Sequence, residues 1–466
     1  MTDKAYIELI KKDGLSSDII KLLLTERSAR MDEQRILYAR YRADAEGVPI
    51  KTRKYMIDGK EQRKKINNRL NNDFFGDIID VKTGFMAGVP IAYGLDYKTD
   101  SSEAAYQAGV EAIKNFNKAE VIEDSDSEMI KMASICGETT RLLYIGTDGN
   151  PHLSDLNPWN TIVLYDGKEP VYGFYFYHYK EVGRLLGVIK TEKEYDAVEF
   201  YDATHMTKYT SANNGDYVKG EQTAHMFPGC PMFSILNNAE AQGDGEKVLS
   251  LIDAYDRLLS DWDNEIEQFR LAYMAIMGGK IEKDAIEAMA ASGALSVPEG
   301  VDIKFITKQM DVNATEKLCS IIEENIYQFA KAINSRDENF AGTITGIALS
   351  YKMNPLDQKC LTMERKIITA FRYQYKLLCD IWRTRRIADI NYLDVNFKFK
   401  RKYPQNLASE ADIAEKLRGT VSLTTILQNL SIVENVDEEL QRIAEDTAIS
   451  LPAEEEPKKE TVTDEG

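Results

Sequence analysis

The sequence of 466 residues has few cysteines, and no two of them form a close pair. The five thiols are odd in number, widely spaced and without a CxxC motif, at Cys136, Cys230, Cys319, Cys360 and Cys379. Disulfide-stabilised secreted domains usually carry an even, closely spaced set, so this pattern favours reduced, mostly buried thiols. The opening MTDKAYIELIKKDG has mixed charge and no apolar leader, so we expect a cytosolic rather than a secreted protein.

Long hydrophobic runs are also scarce, as the apolar part of residues 63–94 illustrates. Thirteen uncharged residues separate Lys82 from Asp96, whereas a membrane-spanning helix needs about 18 or more. Several glycines and Pro90 interrupt this run, which argues against one long helix. We therefore expect no membrane span here, and a run of this length is more often part of a buried core.

The motifs of common enzymes are missing. There is no GxxxxGK[ST] phosphate loop, no HExxH metal motif and no GxSxG nucleophile turn. The four histidines, His152, His178, His205 and His225, are scattered through a strand-like region, where ordinary structural histidines are expected. The sequence therefore predicts no catalytic site, no metal and no cofactor, although a metal-dependent nucleic-acid enzyme built on clustered carboxylates stays open as an alternative.

The net charge of −18 is unevenly distributed. Residues 434–466 hold 12 acidic and 3 basic residues, which is half of that excess. Residues 51–69 reverse the balance, with eight basic residues against two acidic ones. Because phosphate neutralisation supplies most non-specific affinity for DNA, an acidic body predicts a protein that handles DNA, if at all, without gripping it.

The hydrophobic periodicity predicts an α+β fold. Residues 1–50 and 102–135 have helical spacing, and the second of these segments is expected to end near Gly137. Residues 141–235 are rich in aromatic and β-branched residues, with turn signals at Asp148-Gly149 and Asn213-Asn214-Gly215, so several antiparallel strands are expected.

The most regular pattern lies in residues 246–273, where apolar residues alternate at spacings of 4 and 3 and predict one helix with a 3.5-residue seam. The seam consists of Val248, Ile252, Tyr255, Leu259, Trp262, Ile266, Phe269 and Tyr273. Six carboxylates lie off the seam: Asp253, Asp256, Asp261, Asp263, Glu265 and Glu267. The seam must be buried, and we expect the acidic remainder to face solvent or a polyanion. A long helix in an ordinary bundle is the simpler interpretation of the same pattern.

Beyond this helix we expect a small α/β insertion up to residue 306, with a strand at 301–305, and then a second long helix. A glycine-interrupted segment, DENFAGTITGIALSYKMNPL, follows at residues 337–356. Asn354-Pro355 is a helix-start signal and predicts a third long helix from there to about Ile387. VNFKFKRKY predicts a strand, residues 409–447 a helical segment, and the acidic, proline-containing tail from about Leu451 disorder.

Three stretches together resemble the portal, or head-to-tail connector, proteins of tailed double-stranded DNA bacteriophages of the siphophage type. The first is residues 63–94, which look like the entry into the wing domain at Asn67, Asn71, Asp80, Lys82, Gly88, Pro90 and Ile91. The second is PMFSILNNAEAQGDGEKVLSLIDAYDRLLSDWDNEIEQF, which looks like the approach to the first stem helix and that helix itself. The third is ENFAGTITGIALSYKMNPL, which looks like the tunnel-loop region. The resemblance implies a wing core at Gly88, Pro90 and Ile91, preceded by a basic helical lead-in.

The resemblance also implies a domain order. It assigns 1–50 to an N-terminal helical wing extension, 51–245 to the wing, 246–274 to the first stem helix, 275–306 to a small α/β clip, 307–336 to the second stem helix, 337–356 to the tunnel-loop region, 357–400 to a long helix returning to the wing, 401–450 to a helical crown and 451–466 to the disordered acidic tail.

The implied function is structural rather than enzymatic. Portal proteins form a ring, usually of twelve subunits, at one capsid vertex of the virion, and they are assembled in the host cytoplasm. A separate terminase drives double-stranded DNA through the ring, which also meets the major capsid and scaffolding proteins and a head-tail adaptor. On this interpretation the helical seam is an oligomer interface and the six carboxylates line or flank the channel. Gly342 and Gly346 are hinges of the tunnel loop, with Lys352 and Asn354 facing DNA. A ring or scaffold component without a DNA channel is the alternative.

Overall fold

The computed structural model describes residues 1–54, 66–96, 102–185, 188–212, 215–270, 312–334, 346–401 and 407–430, together with short pieces at 56–57, 60–61, 273–277, 302–306, 432–433, 436, 439–440 and 442–444. Two units divide the chain, residues 1–402 and 403–466. Antiparallel sheets and helices are mixed along the first unit, so the predicted α+β class is confirmed.

The N-terminal region is helical, as predicted. Helix α1 spans Asp3–Asp13 and helix α2 spans Ser17–Tyr41. The hydroxyls of Thr2 and Ser16 cap them by accepting the backbone N–H of the third residue of each helix, Ala5 and Ile19. Their apolar sides, including Tyr6 and Leu23, are buried against a β-sheet.

That sheet has five antiparallel strands in the order β10-β9-β8-β7-β6. One face packs on the two N-terminal helices because alternate residues such as Phe174, Phe176, Val198 and Phe200 point toward them. Two short strands, β1 (Met56–Ile57) and β2 (Lys60–Glu61), form a separate hairpin. The strands of the large sheet are β6 (Thr161–Asp166), β7 (Glu169–Leu185), β8 (Val188–Tyr201), β9 (His205–Ala212) and β10 (Val218–Ala224).

A three-stranded sheet in the order β11-β4-β5 lies beside it. Its strands are β4 (Glu138–Ile145), β5 (Pro151–Leu156) and β11 (Met232–Leu236). The predicted turn at Asp148-Gly149 joins β4 to β5, and Gly149 has φ +82°, which glycine adopts without strain. The turn predicted at Asn213-Asn214-Gly215 falls on residues 213–214, which lie outside the described residues, although β9 and β10 on either side of it do pair.

Three helices come before this sheet in the chain: α3 (Phe74–Ala87), α4 (Glu103–Ala119) and α5 (Ile122–Cys136). Helix α5 packs on the sheet, and α3 and α4 pack on α5. Helix α5 ends at Gly137 as expected. Gly137 has φ +84°, and a Cβ there would lie 2.0 Å from the Ala241 carbonyl oxygen, so only glycine fits. A short strand, β3 (Ala92–Leu95), pairs with β14 (Val395–Lys398), which confirms the strand predicted in VNFKFKRKY.

The predicted core of residues 63–94 is partly wrong. Ile91 is buried at 6 % exposure in the main apolar cluster, but Gly88 and Pro90 are exposed. Gly88 caps the end of α3 and Pro90 lies just before β3. Both residues therefore belong to the connection between α3 and β3 and not to the buried core. The expected helical lead-in is also wrong for residues 66–73, which form no helix.

The long helices follow the predicted order with shifted ends. Helix α6 spans Leu249–Arg270, and Tyr273, which the periodicity placed on it, instead opens strand β12 (Tyr273–Met277). Strand β12 pairs with β13 (Asp302–Ile306), in agreement with the strand expected near 301–305. Helix α7 spans Val312–Ala330.

Helix α8 corrects the predicted helix start at Asn354. It runs from Gly346 to Thr384, with Pro355 inside it. Proline cannot donate to the carbonyl of Tyr351 one turn earlier, but Tyr351 is 76 % exposed, so water can reach this part of the helix. The inner face of α8, including Phe371 and Tyr375, forms the middle of the main apolar cluster.

The second unit contains helices α9 (Leu407–Leu417) and α10 (Leu423–Asn429), so part of the helical segment predicted at the C-terminus is confirmed. Residues 451–466, predicted to be disordered, lie outside the described residues. None of the helices in the described part of the chain is long and apolar enough to cross a membrane.

Candidate functional site

The polar side of α6 is occupied by a segment of the same chain. Residues 66–72, which we call the strap, run along the helix without forming a helix or strand themselves. The backbone N–H groups of three alternate strap residues donate to side chains one helical turn apart. Asn72 donates to Asp256 Oδ1 at 2.8 Å, Leu70 to Ser260 Oγ at 2.9 Å, and Asn68 to Asn264 Oδ1 at 2.6 Å.

The strap changes the interpretation of the six carboxylates. Asp256 is only 1 % exposed, so the expectation that it faces solvent or a polyanion is wrong. Burial raises the pKa of its carboxyl, although hydrogen bonds from Asn72 oppose that effect. The helix can bury this carboxylate because the strap supplies both the backbone and the side-chain amide of Asn72 as donors.

At least three other carboxylates of α6 have partners within the chain. Asp253 forms an ion pair with Arg40 of α2, and Asp261 lies 2.5 Å from Arg53. Glu267 accepts a hydrogen bond from the side-chain amide of Asn68 at 2.8 Å. Asp263 and Glu265 are half-buried, and a channel-lining role for them stays a prediction.

The apolar seam of α6 is divided into a covered half and an open half. Ile252 is 1 % exposed and packs with Ile326 and Ala330 of α7, while Tyr255 lies edge-on to Phe74 at 4.9 Å. Leu259 and Trp262 are half-buried, and Ile266 is 43 % exposed. The indole Nε1 of Trp262 is buried and has no hydrogen-bond partner among the described residues. The side chain of Phe269 lies outside the described residues.

A buried ionic centre lies next to the start of α6. Lys82 of α3 donates to Asp244 Oδ2 at 2.7 Å and to Asn237 Oδ1 at 2.6 Å. Lys359 of α8 lies 3.0 Å from Asp244 Oδ1 and donates to the carbonyl of Ala330 at 2.7 Å. The Lys82 and Asp244 side chains are 0 % and 1 % exposed, so the centre is almost dry.

The electrostatics of this centre are unusual because two ammonium groups share one carboxylate. Burial by itself raises the pKa of the Asp244 carboxyl, but Lys82 and Lys359 outweigh it and hold the pKa at about 2. Burial lowers the pKa of Lys359, the attraction of Asp244 opposes that effect, and the nearby Lys82 adds to the lowering. Asn237 completes the centre by donating to Asp244 Oδ1 at 3.0 Å.

The ionic centre joins the stretches that carry the family resemblance. Lys82 belongs to the first, and Asn237 and Asp244 belong to the second. Lys359 comes three residues after the end of the third. Our sequence analysis did not identify the centre, although a lysine within the otherwise apolar helix FFGDIIDVKTGFMA was a usable signal, because such a residue needs a buried partner.

Arg30 fixes the loop that carries Asp244. Its guanidinium donates to the carbonyl oxygens of Cys136 and Ala241 at 2.8 and 2.5 Å and pairs with Glu246 at 3.0 Å. The end of α5, the loop and the 3-10 turn at Glu246–Val248 are thereby tied to α2. These contacts fix the loop on which Asp244 lies, in addition to the contacts that Asp244 makes itself.

The predicted tunnel-loop residues are placed differently from expectation. Gly346 opens α8, and Lys352 and Asn354 lie within its first turns rather than on a loop. Lys352 is half-buried and Asn354 is exposed. Gly342 lies outside the described residues, so its role as a hinge stays a prediction.

The four histidines have structural surroundings. His152, for example, bridges Glu120 at 2.8 Å and Asp148 at 3.1 Å and thereby ties the β4–β5 turn to the end of α4. Across the described ranges, no cluster of three or more histidine, cysteine or acidic side chains has the arrangement of a metal site.

Comparison with known proteins gives a consistent result. The sequence model of the family described as "Phage portal protein, SPP1 Gp6-like" matches residues 20–450. The portal protein of Clostridium phage phiCD119 is 22 % identical over 394 residues, covering 80 % of this chain and 84 % of that protein. The portal protein of Bacillus phage SPP1 is 23 % identical over 408 residues, covering 82 % of this chain and 76 % of that protein.

Proposed function

The chain belongs to the SPP1 Gp6-like family of phage portal proteins, and we propose that it forms the ring-shaped channel at one vertex of the capsid. A separate terminase drives double-stranded DNA inward through this channel. The ring then retains the DNA and later releases it toward the tail. The ring contains twelve subunits in this proposal, and the protein itself is not an enzyme.

The observation that supports a ring is the open half of the α6 seam. Helix α6 is held on its polar side by the strap and on part of its seam by α7, yet Ile266 is 43 % exposed. Helix α7 adds an apolar surface of its own, with Leu318, Ile321 and Phe329 between 45 and 57 % exposed. Exposed apolar side chains concentrated on two neighbouring helices favour a protein interface, and in a ring each subunit has a neighbour on both sides.

The domain order follows from this assignment. Helices α6 and α7 are the two stem helices, and residues 275–306 between them form the clip. Residues 51–245 form the wing, with 1–50 as its extension, and α8 returns to the wing. Residues 337–345 and the first turns of α8 form the tunnel-loop region, and residues 401–450 form the crown.

DNA passes this surface with few attractive contacts. The chain carries a net charge of −18, and a negative wall repels phosphate, so few condensed contacts have to be broken as the duplex moves. Asp263 and Glu265 are the α6 carboxylates that we place toward the channel. Lys352 and Asn354, with hinges at Gly342 and Gly346, supply the DNA-facing positions of the tunnel-loop region.

The partners follow from the same proposal. They are further copies of this chain, the terminase, the major capsid and scaffolding proteins and a head-tail adaptor. The site of action is the capsid vertex of the virion, after assembly in the host cytoplasm.

The direct test is the mass and shape of the purified protein. Native mass spectrometry should give a closed assembly of about twelve 52.8 kDa chains. Negative-stain images should show a flanged ring with a central channel. A solid particle, a rod or a monomer under all conditions would contradict the proposal.

A further inference from the structure

A cleft of about 310 Å³ opens directly beside the ionic centre. Its walls come from the 237–244 loop, the 3-10 turn at Glu246–Val248 that leads into α6, the end of α7 and the middle of α8. We call it the basic cleft. The lining residues used below are Glu240, Asp244, Lys247, Phe329, Lys331 and Lys359.

The basic cleft carries an excess of positive charge. Lys82 and Lys359 share the single carboxylate of Asp244, which leaves one positive charge unbalanced in a buried place. Lys247 and Lys331 add two further ammonium groups at the exposed rim, against one carboxylate from Glu240. The lining itself carries three lysines and two carboxylates, a net charge of +1, and Lys82 of the adjoining ionic centre raises this to +2, within a chain whose total is −18.

Lys359 is the part of the cleft that is already positioned for a ligand. Its ammonium has three hydrogens, of which one is directed to the Ala330 carbonyl and one to Asp244. One donor therefore remains, on a side chain that is 18 % exposed and lines the cleft. Because both existing contacts fix the ammonium, an incoming anion would meet a donor that does not have to be ordered first.

The rim indicates which kind of anion fits. Phe329 lies at the rim with 57 % of its surface exposed, and it shares one face of α7 with Leu318 at 46 %. Nucleic acid would place polar phosphate and sugar groups beside this apolar surface, which would then have no apolar partner. A protein segment can place a carboxylate in the cleft and apolar side chains on α7 at the same time, and this chain has carboxylates in excess.

We propose that the basic cleft receives an aspartate or glutamate side chain from a second copy of this chain, so that subunit contact is anchored on the ionic centre. This inference rests on the proposed ring and names one of its contacts. The apolar face of α7 and the cleft then form one continuous interface, in which the carboxylate sets the register and the apolar face supplies the area.

The test uses the full chain with Lys247→Glu and Lys331→Glu combined. Both side chains are exposed and neither takes part in the ionic centre, so the fold of the single chain should persist. The matched control, Lys118→Glu with Lys168→Glu, makes the same change in net charge at exposed positions outside the cleft lining. Mass photometry across a concentration series measures half-assembly, and circular dichroism checks the fold.

We expect the cleft variant to need at least about tenfold more protein for half-assembly, while the control behaves like the wild type. The neutral pair Lys247→Gln with Lys331→Gln should shift assembly in the same direction by less. Added NaCl should weaken wild-type assembly more than that of the cleft variant, because the anchoring charge is screened.

A cleft variant that assembles like the wild type would overturn this inference and leave the ring intact. The same result accompanied by weaker binding of a short DNA duplex would assign the cleft to phosphate instead, which also overturns it. A wild-type chain that never assembles would overturn the ring and the cleft contact together.

Discussion

Lys82 of α3 and Asp244 of the loop before α6 form an ion pair 2.7 Å long in which neither side chain is more than 1 % exposed. Lys359 of α8 approaches the same carboxylate from the other side at 3.0 Å. Three elements that are far apart in the sequence therefore meet on one acidic group. The arrangement makes the centre sensitive to which of its members is removed.

We expect Asp244→Asn to destabilise the fold more than Lys82→Met. The first change leaves two buried ammonium groups facing each other without a counter-charge and should cost about 3–5 kcal/mol. The second leaves the Asp244–Lys359 pair intact and should cost about 1.5–3 kcal/mol through the lost charged hydrogen bonds. Urea unfolding of each variant at one protein concentration measures the difference.

Lys21→Met is the matched control for these variants. Lys21 pairs with Asp216 at 2.6 Å, but both side chains are well exposed, and such pairs contribute about 0–1 kcal/mol. If Lys21→Met destabilised the protein as much as Lys82→Met, burial would not be the cause of the effect.

The ionic centre should also produce a specific acid response. Because the folded-state pKa of Asp244 is lowered to about 2, its stabilising contribution is present above the unfolded-state pKa and is lost as the pH falls. The loss should occur between about pH 4 and 2 and reach roughly 2–3 kcal/mol. Melting temperatures of Asp244→Asn should therefore fall less steeply with acidification than those of the wild type.

Asp256 supplies the comparison of opposite sign. Burial raises the pKa of its carboxyl, so the folded state gains relative to the unfolded state as the pH falls. Melting temperatures of Asp256→Asn should consequently fall more steeply with acidification than those of the wild type. Identical acid profiles for the Asp244 and Asp256 variants would show that neither carboxyl contributes as described.

The strap should depend on its side-chain acceptors. Ser260→Ala removes the acceptor for the Leu70 N–H at a position with 0 % exposure, which should cost about 1–3 kcal/mol. Ser28→Ala on α2, where the serine is exposed, is the control and should be close to neutral. Proteolysis of the strap, followed by mass spectrometry, should be faster in Ser260→Ala, and equal cleavage rates would argue against a clamping role.

Trp262 tests whether the open half of the seam is an interface. It is half-buried in the single chain, and its indole N–H lacks a partner among the described residues. We expect Trp262→Asp to abolish assembly in native mass spectrometry while the dissociated chain remains folded. Leu393→Asp, at an apolar position that is 54 % exposed, serves as the control. Normal assembly of Trp262→Asp would show that the seam faces away from the subunit contact.

Lys352 tests the proposed path of the DNA. Repeated once per subunit, even a single lysine gives a collar of positive charge that can position a duplex without clamping it. Lys352→Glu should leave ring assembly intact and reduce the length or retention of packaged DNA, whereas Lys352→Arg should package normally. Full-length packaging at the wild-type rate by Lys352→Glu would remove this residue from the DNA path.

Much of the order of elements could be predicted from the sequence because periodicity is a local property. The seam from Ile252 to Ile266 correctly indicated α6, although Val248 lies in the 3-10 turn before it, and the glycine after Cys136 correctly ended α5. Local signals failed where two of them competed. Asn354-Pro355 has the form of a helix start, yet the apolar spacing around it belongs to a helix that begins at Gly346.

The surroundings of the candidate site could not be predicted in the same way. Asp256 lies on the polar side of an amphipathic helix, where solvent is the usual neighbour. Its actual neighbour is Asn72, 184 residues earlier in the chain. The residue spacing around Asn72 and around Asp256 does not predict that they pair. The same is true of Lys82 and Asp244, which are 162 residues apart.

The strap and α6 have different axial repeats between their hydrogen-bonding groups. Four residues of an α-helix advance about 6.0 Å, whereas two residues of extended chain advance about 6.4–6.8 Å. Over the two intervals from Asp256 to Asn264, the acceptors on α6 and the amide groups of the strap become offset by about 1 Å along the helix axis. The acceptors also rotate by about 80° around that axis. With this mismatch only a few consecutive hydrogen bonds can stay aligned. This accounts for a strap that makes three of them and ends where α3 begins. Inserting one residue between Asn68 and Asn72 would direct the wrong set of amide groups toward the helix. Inserting two residues would shift the chain by one hydrogen-bonding interval, and the remaining amide groups would still face their acceptors.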